Sequence, residues 1–387
     1  MTLNKTDRRG RLKELALLFL KLGTIAFGGP AAHIAMMRDE VVEKRKWMTD
    51  EEFLDLNSAA SLIPGPNSTE LAIHIGNVRA GWPGLIVAGV CFIVPAMVIV
   101  LGLAWIYVTY GQLPQVGAIL YGIQPVVIAI ILQALWLLSK TAVKNVWLGL
   151  LCFAALILTL TGINELVILF GAGLMVSLVM LIRNAREKNS TAAILPLMLF
   201  QAGGASAGTA TLTSIFLFFL KVGAVLFGSG YVLIAFLRAD LVEQYQWLTD
   251  QQLLDAVTVG QITPGPVFTT ATFIGYLLAG VPGAVVATVG IFLPAFVFVA
   301  LSAWLVPRMR KSQVFGGFLD GVNVASIALI AWVMVGLGRS AIVDIPTILL
   351  FVVSSVLLIR FKINSGWLIL GGAVIGLLIL MFQTFVP

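Results

Sequence analysis

Residues 64–70 read Pro-Gly-Pro-Asn-Ser-Thr-Glu, and residues 264–270 read Pro-Gly-Pro-Val-Phe-Thr-Thr. The two stretches lie 200 positions apart (264 − 64), and the same offset joins Lys21 to Lys221. Matches that keep one spacing along a chain indicate an internal duplication. The chain then divides into an N-terminal repeat at 1–188, a connector at 189–209 and a C-terminal repeat at 210–387.

The composition is that of a membrane protein. Hydrophobic residues make up 59% of the 387 residues and charged residues 11%, whereas a soluble domain is about 25% charged. No charged residue occurs between positions 80 and 139 or between 256 and 307. Because a bilayer-spanning helix needs about 20 apolar residues, each stretch can hold two spans. The sequence therefore predicts an all-α, polytopic integral membrane protein.

Each repeat follows the same helical plan. An apolar helix, near 12–27 or 211–227, ends at a glycine-rich break, and an amphipathic helix and a polar loop follow. Thr49 with Glu52 fits the capping box that starts the next helix, as does its counterpart, and this helix runs into Pro-Gly-Pro. A short helix comes next. Long apolar helices are then predicted near 85–108, 116–138, 146–161 and 165–182, and near 284–306, 315–338, 345–360 and 365–384.

The positive charges of the short loops alternate between the repeats. Residues 38–46 include four Lys or Arg residues, and their counterparts include only Arg238. The loop at 109–115 has none, whereas its counterpart has three. Since Lys and Arg favour the cytoplasmic side, we predict inverted-topology repeats with broken, re-entrant helices, as in many secondary transporters. An even number of crossings per repeat requires the connector to cross the membrane as well, and an odd number does not.

The glycine–proline breaks are the predicted binding site. Broken helices are tolerated at membrane depth where they face protein or water, and a helix N-terminus with free N–H groups binds anions. Breaks at corresponding positions of two repeats indicate a transport site. The alternative is that the prolines only shape turns and that Asn67 and Glu70 form a capping box. The candidate residues at the breaks are Gly28, Gly29, Gly65, Asn67, Ser68, Thr69, Glu70, Gly265, Thr269 and Thr270.

Cations accompany the breaks in both repeats. Lys21 and Lys221 lie inside apolar helices, where a charge is usually functional. The alternative is that they extend to the membrane interface. Arg38 and Arg238 follow the glycine breaks by two to three helical turns, and either bind an anionic substrate or pair with neighbouring carboxylates.

The two histidines, and the motifs that would indicate an enzyme, give little further evidence of function. His74 and Glu70 form an i, i+4 pair, which suits a proton relay or a metal-site fragment, but two ligands do not make a metal site. Packed histidines at positions 33 and 74 are therefore the favoured interpretation. No nucleotide-binding loop, nucleophile elbow or zinc motif occurs. We expect neither an enzyme nor a cofactor nor a nucleic-acid partner.

Phe27-Gly-Gly-Pro30, the charged loop up to Trp47, and residues 64–70 followed by Ile75-Gly76 resemble the chromate ion transporter family in its long two-domain form. The resemblance covers nearly the whole chain. It implies a multi-pass bacterial or archaeal inner-membrane protein that exports chromate, confers chromate resistance and has oppositely oriented halves. The second half departs from the pattern, because Val267-Phe268 replace Asn67-Ser68.

The leading interpretation is thus secondary-active efflux of a tetrahedral divalent oxyanion. The predicted partners are chromate or a related oxyanion and the lipid bilayer, and a homodimer is left open. A carrier of sulfate or another oxyanion is the alternative within the same class. An anion channel is the alternative of another class.

Overall fold

The computed structural model describes residues 5–187, 209–227 and 230–385, and this part of the chain is helical with no strand. The predicted connector at 189–209 lies outside the described residues except for Thr209, as do residues 228–229 of the second glycine break. The helices of the first repeat are α1 (Lys5–Ile25), α2 (Gly29–Arg38), α3 (Asp50–Ala60), α4 (Asn67–Tyr110), α5 (Pro114–Ala142), α6 (Val146–Leu160) and α7 (Glu165–Glu187). Those of the second are α8 (Leu212–Val225), α9 (Val232–Leu237), α10 (Asp250–Ile262), α11 (Thr270–Lys311), α12 (Gln313–Ala341), α13 (Ile345–Ile359) and α14 (Ser365–Phe385).

Six of the eight predicted long apolar helices are present as candidate membrane spans, whereas α6 and α13 have only 15 residues each. Six described helical segments are long and apolar enough to cross a bilayer, and they belong to α4, α5, α7, α11, α12 and α14. Inside α4 the chain bends sharply at Ala80-Gly81, where Gly81 has φ 66°. Gly280 bends α11 in the same way with φ 61°. The expected succession of a short helix and a long one is therefore confirmed in each repeat.

The loop before each Pro-Gly-Pro helix also has the expected chemistry. The hydroxyl of Thr49 accepts from the N–H of Glu52, whose carboxylate accepts from the N–H of Thr49, which completes the predicted capping box. Thr249 and Gln252 form the matching box. The sequence did not indicate the wider π-helical turns at Asp39–Lys44 and Arg238–Gln244.

The centre of the molecule is built by close helix packing. α1 packs on α4, α8 packs on α11, and α4 packs on α11. Glycines permit the closest of these approaches. A Cβ atom on Gly23 would lie 2.6 Å from the carbonyl oxygen of Phe92, and Gly223 meets the carbonyl of Ile291 in the same manner. Any larger residue at these positions would separate the helices.

The outer helices are exchanged between the repeats. α6 and α7 pack on α12 of the second repeat, and α13 and α14 pack on α5 of the first. Gly122 and Gly372 contact each other through their backbones in the α5–α14 pair. Each repeat therefore completes its packing with helices of the other.

Two contacts show the relative direction of helices α5 and α12. Lys144, just after α5, pairs with Asp320 near the start of α12 at 2.7 Å. Ile128 in the middle of α5 lies 4.0 Å from a Cβ placed on Gly338, near the end of α12. As the position rises along α5, the contacting position falls along α12, so the two equivalent helices run antiparallel.

Candidate functional site

The first break separates α1 from α2. α1 ends at Ile25, and α2 begins at Gly29 with Pro30 in its first turn. Gly28 and Gly29 have φ angles of 107° and 74°, which residues with a side chain rarely adopt. A proline in the first turn has no N–H to leave unpaired and a φ suited to starting a helix. The sequence Gly-Gly-Pro thus stops one helix and starts the next.

The second break, Pro64-Gly65-Pro66, joins α3 to α4, and it is fastened to the other repeat. The N–H of Gly65 donates to the carbonyl of Leu226 at 2.8 Å, and the N–H of Gly265 donates to the carbonyl of Ala26 at 2.9 Å. Ala26 and Leu226 are the residues immediately after α1 and α8. The structure therefore brings the predicted breaks of both repeats together.

His33 connects two breaks within the first repeat. It is buried, with Nε2 3.0 Å from the carbonyl oxygen of Ala26 and Nδ1 3.3 Å from the hydroxyl of Ser68. Since a carbonyl only accepts, Nε2 carries the hydrogen and the Ser68 hydroxyl donates to Nδ1. His33 is packed, as expected, but it is packed at the site. Its position in the first turns of the helix after the glycine break was the available signal.

The N-terminus of α4 has the free N–H groups that the sequence led us to expect. Pro66 occupies the N-cap position and no side chain caps the helix. The N–H groups of Asn67 and Ser68 have no acceptor among the described residues. The alternative capping box of Asn67 with Glu70 is absent, because Pro66 rather than Asn67 precedes the helix.

Several polar groups of this first turn are buried without a partner. Thr69 and Glu70 have no exposed surface, and neither the Thr69 hydroxyl nor either Glu70 oxygen is hydrogen-bonded. Nε2 of His74, one turn further on, is also buried and unpaired. Glu70 and His74 therefore have the predicted i, i+4 spacing, but they form no hydrogen bond with each other.

The corresponding turn of the second repeat is satisfied internally. The Thr269 hydroxyl donates to the carbonyl of Pro266, and the Thr270 hydroxyl donates to that of Val267, both at 2.8 Å. Both threonines are buried. The two Pro-Gly-Pro turns thus differ in polar chemistry, and the second continues as a 3-10 turn, Val267–Thr269, before α11 begins.

The intrahelical lysines are paired with carboxylates. Nζ of Lys21 lies 2.8 Å from Oε1 of Glu40, and Nζ of Lys221 lies 3.0 Å from Oδ2 of Asp240. The hydrogen bond from Lys21, supported by one from Arg45, holds the pKa of Glu40 below its ordinary value although burial opposes this shift. Lys21 remains half exposed, so its ammonium group is accessible as well as paired.

The arginines lie farther from the breaks. Arg38 donates to both oxygens of Asp50 at 2.7 and 2.6 Å and pairs with Glu43, while Arg238 pairs with Asp250 and Glu243. The hydrogen bond to Asp50 raises the pKa of Arg38. Asp50 begins the 11-residue α3, which ends near Pro64. At roughly 1.5 Å per residue, about 16 Å of helix lies between Arg38 and that break.

A polar cavity between the repeats was not identified from the sequence. Its volume is about 300 Å³, and its lining includes Tyr107, Gln124 and Asp255. Asp255 is 3% exposed and accepts hydrogen bonds of 2.7 Å from the Tyr107 hydroxyl and from Nε2 of Gln124. The available signal was an acidic residue immediately before the charge-free stretch, since such residues are commonly functional.

Comparison with known proteins shows which family this chain is similar to. The family model described as "Chromate transporter" matches residues 13–177 and 213–377. A "Chromate transport protein" of Cupriavidus metallidurans is 38% identical over 95% of this chain and 92% of that protein. A "Probable chromate transport protein" of Synechococcus elongatus is 36% identical over 88% of each chain. A "Chromate transport protein" of Pseudomonas aeruginosa is 30% identical over 87% of this chain and 83% of its own length. No solved structure matches.

Proposed function

The chain belongs to the chromate transporter family, whose model matches both repeats, and on that premise we propose that it is a secondary transporter that exports chromate. The family and the apolar helices make it a multi-pass protein of the cell membrane. Export, the mechanism and the binding residues are our proposal. In this proposal the protein transports its substrate and catalyses no reaction.

The observation that carries the proposal is the meeting of the breaks. The reciprocal hydrogen bonds of Gly65 and Gly265 hold the open N-terminus of α4 between the repeats. A helix N-terminus with unpaired N–H groups and a positive dipole end suits an oxyanion. In this proposal the N–H groups of Asn67 and Ser68, together with the side chain of Asn67, are the principal donors.

The two repeats contribute unequally. The hydroxyls of Thr269 and Thr270 are occupied by backbone carbonyls, so the second repeat would contribute mainly the Gly265 turn. Lys21 and Lys221 would supply positive potential from their ion pairs, and Arg38 and Arg238 would act at a distance. One site centred on residues 28–74 is therefore favoured over two equal sites.

Inverted topology is part of the proposal. The antiparallel course of the equivalent helices α5 and α12 supports it, because two equivalent membrane-spanning helices that run in opposite directions belong to oppositely inserted repeats. The alternating Lys and Arg content of the loops supports it independently. Alternating access would then rock one repeat against the other around the breaks.

An inside-negative membrane potential favours the proposed direction. Moving one charge across 100 mV is equivalent to about 2.3 kcal/mol. A dianion that leaves the cell alone therefore gains about 4.6 kcal/mol per 100 mV. Export of chromate needs no nucleotide under these conditions.

Purified protein in lipid vesicles tests the function. We expect inside-out vesicles to accumulate labelled chromate, faster when the lumen is positive, with saturation at high concentration. Excess sulfate should compete weakly. Strong sulfate uptake would favour the sulfate carrier, and flux without saturation or exchange would favour the channel. No uptake above protein-free vesicles would overturn the function.

Variants test the site within the same assay. Asn67→Ala and Lys21→Met should each lower chromate uptake at normal membrane abundance. Lys44→Met is the matched control, because Lys44 is an exposed cation that pairs with Asp39 and Glu40 and lies outside the proposed site. Unchanged uptake in both Asn67→Ala and Lys21→Met would refute the site assignment while leaving the transport activity established.

A further inference from the structure

Glu70 stands out among the buried titratable groups. Its side chain is fully buried and neither carboxyl oxygen has a hydrogen-bond partner. It lies in the first turn of α4, folded back over the preceding turn, since a Cβ on Gly65 would overlap its Oε1. The carboxyl group therefore lies against the break at which the oxyanion is proposed to bind.

No cation neutralises Glu70 among the described residues. α11 presents no charged residue up to position 307. On the other helices packed against α4, Arg8, Arg9, Lys13 and Glu51 are exposed, and the ionisable groups named below have partners of their own. Asp55 on α3 is also engaged. The paired ionisable groups are Glu14 with Arg79, Lys21 with Glu40, His33 with Ser68, Arg38 with Asp50, and Asp255 with Tyr107.

A buried carboxylate without donors is strongly unfavourable, so the site holds a neutral, protonated carboxyl group in this arrangement. His74, on the same helix face, also has a buried nitrogen without a hydrogen-bond partner. A charged Glu70 would, moreover, occupy the same positive helix end as the oxyanion and repel it. The two negative charges exclude each other unless one of them is protonated.

We propose that Glu70 is the proton-binding group of this transporter, and that a chromate dianion binds at the N-terminus of α4 together with one proton on Glu70. The inference rests on the proposed function. The proton comes from water and forms an O–H bond on one Glu70 oxygen, so the bound state carries one negative charge fewer than with ionised Glu70. That O–H group is also a donor that the oxyanion can accept.

The second repeat offers no equivalent group. Thr270 stands at the position that matches Glu70, and its hydroxyl is bonded to Val267. Coupling should therefore involve one proton per chain. This stoichiometry separates the proposal from a general sensitivity of the protein to pH.

Chromate binding to the purified full-length protein tests the inference across the alkaline range, where chromate remains a dianion. If Glu70 ionises within this range in the free protein, affinity should fall about tenfold per pH unit, as linkage to one proton requires. Calorimetry in buffers of different ionisation enthalpy should show uptake of one proton. Glu70→Gln, which mimics the neutral carboxyl group, should bind chromate with pH-independent affinity and take up none. Glu51→Gln, an exposed carboxylate on α3, should keep the wild-type slope.

The outcomes are distinct. A wild-type slope and proton uptake in Glu70→Gln would overturn the assignment of Glu70 and leave the proposed function intact. Binding by wild type without any proton uptake at a pH where its affinity is falling would do the same. Absence of chromate binding by wild type at every pH would overturn the proposed function, and this inference with it. Should Glu70→Gln not fold, Glu70→Asp must keep the proton uptake, and its loss in folded Glu70→Asp would count against the proposal.

Discussion

The amide of Gly65 donates a 2.8 Å hydrogen bond to the carbonyl of Leu226, which ties a loop of one repeat to a helix end of the other. The bond from Gly265 to Ala26 reproduces it in the opposite sense. Each loop is therefore anchored outside its own repeat. Any movement of one repeat against the other must act on this pair of bonds, so the breaks form the joint as well as the proposed site.

A methyl group at Gly65 should disable this joint. Gly65 has φ 135°, and a Cβ there overlaps Oε1 of Glu70. Gly65→Ala should destabilise the fold by about 1–3 kcal/mol and abolish most chromate uptake. Gly162→Ala is the matched control, because Gly162 also has a positive φ of 74° but open space around its Cβ position. Equal uptake by the two variants would contradict the prediction.

Charge reversal separates two roles of Lys21. If Lys21 only pairs with Glu40, the double variant Lys21→Glu/Glu40→Lys should restore both folding and transport. We expect it to restore thermal stability and membrane abundance but not chromate uptake, because the half-exposed member of the pair is then a carboxylate, which repels an oxyanion. Recovery of uptake to the wild-type rate would assign Lys21 a purely structural role.

The hydrogen bond that Tyr107 makes in the cavity between the repeats should stabilise the folded protein. Its hydroxyl donates to the buried carboxylate of Asp255, and a hydrogen bond to a charged group contributes about 1.5–3 kcal/mol. Tyr107→Phe should lower the free energy of unfolding by that amount, measured by denaturation in detergent. Tyr110→Phe on the same helix is the control, since Tyr110 is 45% exposed. Similar losses in both variants would exclude the specific role.

The Glu40 pair predicts an acid-sensitive stability. The hydrogen bond from Lys21 lowers the pKa of Glu40 below 4.5 in the folded protein, so the folded state binds fewer protons than the unfolded one. The resulting stabilisation is present above pH 4.5 and is lost as the pH falls through the lowered pKa. Glu40→Gln should therefore be less stable than wild type at neutral pH, and this difference should shrink in acid. A constant difference in melting temperature would refute this account.

Inverted topology predicts opposite labelling of two matched loops. Lys46 and Gln246 are exposed and share the same backbone turn, with φ 51° and 53°. In a background without Cys91 and Cys152, Lys46→Cys and Gln246→Cys should react with an impermeant maleimide from opposite faces of the membrane. Labelling of both from one face would contradict inverted repeats.

Much of the local structure could be predicted from the sequence, because its causes are local. Glycine and proline fix the breaks, threonine with Glu52 or Gln252 fixes the start of α3 or α10, and uncharged runs fix the spans. Each of these signals is contained within a few residues or one apolar stretch.

The long-range contacts could not be predicted in this way. Nothing near Leu226 in the sequence indicates that its carbonyl receives Gly65, and nothing near Asp255 indicates Tyr107, which is 148 positions away. The exchange of the outer helices is of the same kind, since apolar faces of similar composition do not identify their partners. The π-helical turns were missed because their hydrophobic pattern differs little from that of an α-helix.

A ribosome completes α5, α6 and α7 before α12 has been translated. The face of α7 that packs on α12 therefore has no protein neighbour until synthesis has passed residue 341, where α12 ends. During that interval this face of α7 can contact lipid, chaperones or other residues of the first repeat. The molecule cannot mature one repeat at a time, and we expect its assembly in the bilayer to be a single late event rather than two successive ones.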